Sequence, residues 1–142
     1  MTAKEYLMRA QIAKQHVRAL QEELAQLALM RGSITSSIGG EIMGKGGLPH
    51  SRVESFVIRL EGKEETLKQG VEEWLAIYDE VEQAIMELVP DQRDRDLLRM
   101  RYLAGLTWEQ IAEARGKDVR TVQRWHGAAL AAFQWKLGPV ES

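Results

Sequence analysis

Cysteine is missing altogether from the 142 residues. That removes disulfides, thiolate metal sites and cysteine nucleophiles together, and it fits a reducing compartment. Proline is scarce: Pro49, Pro90 and Pro139 are the only three. The long proline-free spans are rich in Ala, Leu, Glu, Gln, Lys and Arg, which lose little on entering a helix. No run of 18 apolar residues occurs, so no membrane-spanning helix is expected. The N-terminus MTAKEYLMRAQIAKQHVRAL carries charge throughout and lacks the apolar core of a signal peptide. These absences predict an all-α, soluble, cytoplasmic protein with no membrane partner.

Charge is present but unevenly placed. Residues 1–90 hold 10 Lys/Arg and 14 Asp/Glu, a net of −4. Residues 91–142 hold 9 basic and 7 acidic residues, a net of +2. The overall −2 therefore combines an acidic front with a mildly basic back, which permits a nucleic-acid partner at the C-terminal end.

From about Thr2 to Met30, Tyr6, Ala10, Ala13, Val17, Leu20, Leu24 and Leu27 recur in steps of four and three, the a/d seam of a heptad. Thr2 and Glu5 form a candidate capping box at the start. RGSITSSIGGEIMGKGGLPHSR then holds six of the twelve glycines, which predicts a flexible loop over 31–51. Lys45 lies among these glycines, but no Ser/Thr follows it, so the phosphate-loop pattern is not met. A second seam runs through Val53, Val57, Leu60, Glu64, Leu67, Val71, Trp74, Tyr78, Val81, Ile85 and Leu88, with Glu64 its one polar intrusion. The charge on the outer face of this segment is read as solvated surface.

Residues 1–89 are thus expected to form a coiled-coil-like antiparallel helical hairpin. Two helices bury one stripe each and leave seam residues over. A homodimer or higher homo-oligomer through residues 1–89 would cover them. Pro90 closes the second helix, and the boundary is placed at Val89–Asp91.

Three shorter helices are expected over 91–136, with 137–142 as a tail. The first runs from about Gln92 to Ala104, with Leu97, Leu98, Tyr102 and Leu103 as core candidates and Gly105 as its left-handed stop. The second begins at Thr107, where Gln110 completes a capping box, and ends at Gly116. The third begins at Asp118, with Val122, Trp125, Ala129, Leu130 and Phe133 facing inward. Trp108 and Trp125 are read as core, and Trp74 and Tyr78 as core or interface.

Two helices joined by a glycine-containing turn make a helix-turn-helix, whose second helix enters the major groove of duplex DNA. Val119, Arg120, Gln123, Arg124 and Gly127 are the outward positions, with Lys117 and Thr121 close by. Arg pairs bidentately with guanine and Gln with adenine, so Arg120, Gln123 and Arg124 are the candidate base readers. Lys117, Arg115, and Arg99 or Arg101 are candidate phosphate contacts.

DLLRMRYLAGLTWEQIAEARGKDVRTVQRWHGAAL resembles region 4 of bacterial sigma factors. RYLAGLTWEQIAEARG is similar to its first helices and VRTVQRWHGAAL to its recognition helix. With MTAKEYLMRA at the front and the long acidic helix between, the chain looks like short sigma-like regulators of phages and prophages of low-GC Gram-positive bacteria, related to the ArpU and RinA late-gene activators. The resemblance implies DNA binding at phage promoters, with RNA polymerase as a further partner. Val119 departs from the Arg or Ser common just after the N-cap of such recognition helices.

No catalytic constellation is present: no paired-carboxylate motif, nucleophile elbow, phosphate loop or HExxH. His16, His50 and His126 are dispersed, so no metal or cofactor is expected, and His126 is read as surface. Three readings remain. They are a dimeric sigma-like transcription regulator, a coiled-coil adaptor binding RNA polymerase or another protein, and a small-terminase-like DNA-packaging component.

Overall fold

The computed structural model describes the backbone of residues 1–41 and 50–138, and the side chains of 1–32 and 52–138. Among the described residues there are helices and no strand. They are α1 (Ala3–Glu41), α2 (His50–Leu88), α3 (Gln92–Leu98), α4 (Trp108–Arg115) and α5 (Val119–Leu137). α3 runs on without a break into a π-helical turn, Arg99–Leu103. No helix among them is long and apolar enough to cross a membrane.

The 31–51 loop expected from the glycines is corrected at both ends. α1 continues to Glu41 and α2 begins at His50. Residues 42–49, Lys45 among them, lie outside the described residues. A helix already nucleated over thirty residues extends at little cost, because each glycine loses only about 1 kcal/mol relative to alanine. At the other end α5 reaches Leu137, so the tail begins one residue later than expected; residues 139–142 lie outside the described residues.

The chain divides into two compact units, Met1–Lys14 with Glu73–Ser142, and Gln15–Glu72. In the second unit the helices run antiparallel: Val17 and Leu20 lie against Gly70, while Glu23 pairs with Lys63 at 2.7 Å. A side chain at Gly70 would place its Cβ 3.3 Å from Leu20 Cδ1, so glycine sets how closely the helices approach. Val17, Leu20 and Leu60 are buried, whereas Leu24, Leu27, Leu67 and Val71 are only half-buried. Glu64, the intrusion in the seam, is exposed. Leu24, Leu67 and Val71 line an open groove of about 440 Å³, and Leu29 and Ile58 lie largely in solvent.

The first unit is discontinuous in sequence, and here the expected boundary at Val89–Asp91 marks a change of helix and not of unit. Its main core joins Ala3, Leu7 and Ala10 of α1, Val81 and Ile85 of α2, Val89, Leu98, Tyr102 and Leu103, and Ala129 and Phe133 of α5. Three short helices cannot cover Tyr102 and Phe133 by themselves; the first turns of α1 and the last turns of α2 supply the missing apolar faces. Thr2 and Glu5 cap α1 reciprocally, each accepting the other's backbone N–H at 3.1 Å. The Ala3 N–H then donates to Gln134 Oε1 on α5. Arg9 forks onto the Glu80 carboxylate at 3.1 and 3.2 Å. A smaller core of Leu97, Ile111, Ala112 and Val122 ties α3, α4 and α5 together.

Candidate nucleic-acid interface

The helix-turn-helix is set by three local devices. The Thr107 hydroxyl accepts the Gln110 N–H while the Gln110 side chain accepts the Thr107 N–H, closing the capping box that starts α4. Gly116 ends α4 at φ 63°, a conformation that β-carbon-bearing residues rarely adopt. Asp118 caps α5 by accepting the Thr121 N–H at 2.7 Å. The Thr121 hydroxyl and then its backbone N–H hold the Asp118 carboxyl below the usual carboxylate range, so the cap stays ionised. The smaller core then fixes the angle between α4 and α5, with Val119, Trp108 and Trp125 packed against the Leu97–Ile111–Val122 cluster.

Val119 thus turns toward the core and is not one of the outward positions. The rest of the expected stripe is outward. Arg120, Gln123, Arg124 and Gly127 are exposed on α5, as is Lys117 in the turn. The side chains of Lys117, Arg120, Gln123 and Arg124 make no hydrogen bond or ion pair with a described residue, although the charge of Arg124 also helps lower the Asp118 carboxyl. Steps of three and four place Arg120, Gln123, Arg124 and Gly127 on one face. Thr121 is half-buried and held by Asp118. Arg115 is exposed and pairs with Asp96 at 3.4 Å.

Arg101 is committed to its own domain. Its guanidinium lies 4.2 Å from the Trp108 ring centroid and donates to the Leu106 carbonyl at 3.0 Å. Arg99, the alternative, pairs with Glu82 at 3.2 Å. Of the pair from which a phosphate contact is expected, each is thus already engaged by a neighbouring group in this structure.

His126 is also corrected: it is half-buried, and its Nε2 lies 2.6 Å from the Tyr102 hydroxyl. The Trp108 ring meets it edge-on at 4.6 Å. Burial, then the charges of Arg101 and Lys4, push the imidazole down to about 4, while burial pushes the Tyr102 phenol up to about 12. Both groups are therefore neutral near pH 7. The signal was in the spacing: Val122, His126, Ala129 and Phe133 follow steps of four, three and four.

The linkage has a definite sign. An unfolded His126 gains its proton near its ordinary value of 6.5, and the folded one only near 4. The unfolded state binds more protons between those values, so stability falls as pH drops through that window. The ring is partly open to solvent, so the loss attributable to it is about 1–2 kcal/mol. Denaturant titrations at pH 7 and near pH 4.5 should show a steeper loss for the natural protein than for His126→Gln. Equal losses would mean that His126 is not held neutral.

The π-turn has a partner far away in sequence. Gln11 Nε2 donates to the Tyr102 carbonyl at 2.7 Å, taking up a group that the widened turn leaves unpaired within the helix. Gly105, at φ 74°, lets the chain leave the turn, and a Cβ there would sit 2.9 Å from Gln11 Oε1. Nothing near Gln11 in sequence announces this role.

Compared with known proteins, residues 78–133 match the family model for sigma-70, region 4. The match begins within α2 and ends at Phe133, so it takes in the last turns of α2 with α3, α4 and α5. No curated protein and no solved structure gives a significant match. Caps, hinge glycine and apolar faces agree with the family match, and the C-terminal part of this chain is a sigma-70 region-4-like helix-turn-helix domain, of a DNA-binding regulatory class.

Proposed function

We propose that the protein is a sequence-specific transcriptional regulator that reads duplex DNA with α5. Arg120, Gln123 and Arg124 meet base edges in the major groove; Lys117, Thr121 and Arg115 meet the phosphate backbone. The observation that carries this reading is the exposed stripe on α5, where the side chains of Arg120, Gln123 and Arg124 make no hydrogen bond or ion pair with a described residue. Arg9, Arg95, Arg99 and Arg101 of the same unit are engaged with the fold, and Arg115 would exchange its surface pair with Asp96 for a phosphate.

The regulator acts in the cytoplasm on phage or prophage genes, a reading supported by the resemblance of the chain, with MTAKEYLMRA at its front, a long acidic helix and a sigma-like ending, to short sigma-like phage regulators. RNA polymerase is the protein partner this class of domain implies. The chain acts as a homodimer, or a higher homo-oligomer, through α1 and α2. The groove between Leu24, Leu67 and Val71 and the exposed Leu29 and Ile58 support a further copy there. Two recognition helices on one DNA then compensate for the modest charge of each. No enzymatic step is part of this reading.

The test is a fluorescence-anisotropy titration of the full chain against labelled phage promoter duplex, with light scattering for mass. Binding at low salt that weakens as salt rises, by a dimer, is the expected outcome. Absence of binding at low salt would favour the adaptor reading. A ring of many copies would favour the packaging reading.

A further inference from the structure

We propose that Arg93, on the first turn of α3, grips a backbone phosphate of the duplex beside the α5 stripe. This rests on the duplex-binding reading above and adds to it a contact from a different helix. Among the arginines outside α5 in this unit, Arg93 stands apart. Arg9 forks onto Glu80, Arg99 pairs with Glu82, Arg115 pairs with Asp96, and Arg95 and Arg101 donate to backbone carbonyls. Arg93 has its guanidinium 4.7 Å from the centroid of Trp125, with the side chain 46% exposed. Among the described residues its one polar side-chain contact is to Asp94 at 3.5 Å, the outer limit of a hydrogen bond.

Stacking uses the flat face of a guanidinium and leaves its N–H edge available, and that edge is what matches two phosphate oxygens. Trp125 follows Arg124 directly on α5, so the stack holds Arg93 next to the reading face. Two of the acidic groups near it in sequence are occupied elsewhere. Asp91 caps α3 by accepting the Arg93 backbone N–H, and Asp96 accepts from Gln92 and pairs with Arg115. Asp94 is buried and takes only one terminal nitrogen of Arg93, at 3.5 Å, which leaves the other N–H groups of the guanidinium for a phosphate. A phosphate on Arg93 and base edges on α5 would then be held at a fixed separation, through one tryptophan.

The experiment measures duplex affinity of the full chain across a salt series, using two labelled duplexes of unrelated sequence. Arg93→Met keeps the apolar stem over Trp125 and removes the charge; Arg93→Lys keeps the charge and loses the fork. Arg93→Met should weaken binding to both duplexes alike, by roughly tenfold, and flatten the slope of log K against log salt by about 0.9. Arg93→Lys should restore that slope while recovering only part of the affinity. A slope unchanged in Arg93→Met overturns the inference, even if affinity drops, because a folding defect lowers the active fraction without changing the slope. If the natural protein binds and only this slope fails to change, the duplex reading survives alone. If the natural protein binds neither duplex at low salt, both fall.

Discussion

Alanine at both Arg120 and Arg124 is expected to lower duplex affinity by roughly 100-fold at physiological salt, with the fold intact. A bidentate arginine–guanine pair is worth about 1–3 kcal/mol, and each 1.4 kcal/mol is about a factor of ten. Losing two such contacts is thus a large effect even when they are not additive. The fold should tolerate it, since both side chains are exposed and neither makes a hydrogen bond or ion pair with a described residue. Alanine is also a better helix former than arginine, if slightly. Anisotropy titrations and a thermal melt of the same samples read the two halves of the prediction. An affinity unchanged from the natural protein would remove α5 as the reading element. Arg120→Ala alone should relax base preference at one position of the site, whereas Lys117→Ala should weaken all sequences alike.

The second large effect lies about a hundred residues away. Leu7→Ala is expected to destabilise the helix-turn-helix unit by about 2–5 kcal/mol, the usual cost of a leucine cavity in a core. Leu7 is fully buried and joins Tyr102, Phe133 and Ile85 in one cluster. For a unit of this size the melting temperature should fall by more than about 10 °C. Hydrogen exchange locates the damage: amides of α5 near Ala129 and Phe133 should lose protection in the variant. If they exchange as slowly as before, Leu7 does not help hold the recognition helix. Leu24→Ala offers the contrast, because Leu24 is only half-buried beside an open groove and should cost much less.

The parts of the fold that were legible in the sequence are those decided within a few residues. Thr107 with Gln110, Gly116, Asp118 and Gly105 each announce a cap or a left-handed stop through their own chemistry, and each is found in that role. The seams were legible because burial repeats with the helix period, and Val17, Leu20, Leu60, Val81 and Ile85 are buried as the spacing predicts. What stayed hidden depends on partners distant in the chain. Leu7 looks like any leucine of a long helix until Phe133 is placed beside it. Arg101 offers a positive charge to any reader of sequence, and only the π-turn aims it at Trp108. Arg93 carries no local mark either; Trp125 alone distinguishes it from its neighbours. On α5 the exposed stripe was legible from periodicity, but the inward turn of Val119 and the burial of His126 needed the second core and Tyr102.

The bond from the Ala3 N–H to Gln134 spans 131 residues. During synthesis the first turns of α1 leave the ribosome long before the helices that complete their core exist. Until α5 emerges, Leu7, Val81 and Ile85 have no Phe133 to cover them. Closing so long a loop is slow, since its entropy must be overcome before any contact rewards it. Completion of the recognition helix should therefore be the last folding event of the chain, and α1 can meet α2 before the exposed stripe of α5 exists. A fragment cut at the limits of the family match, 78–133, would lack Ala3, Leu7 and Ala10 and expose the apolar faces they cover.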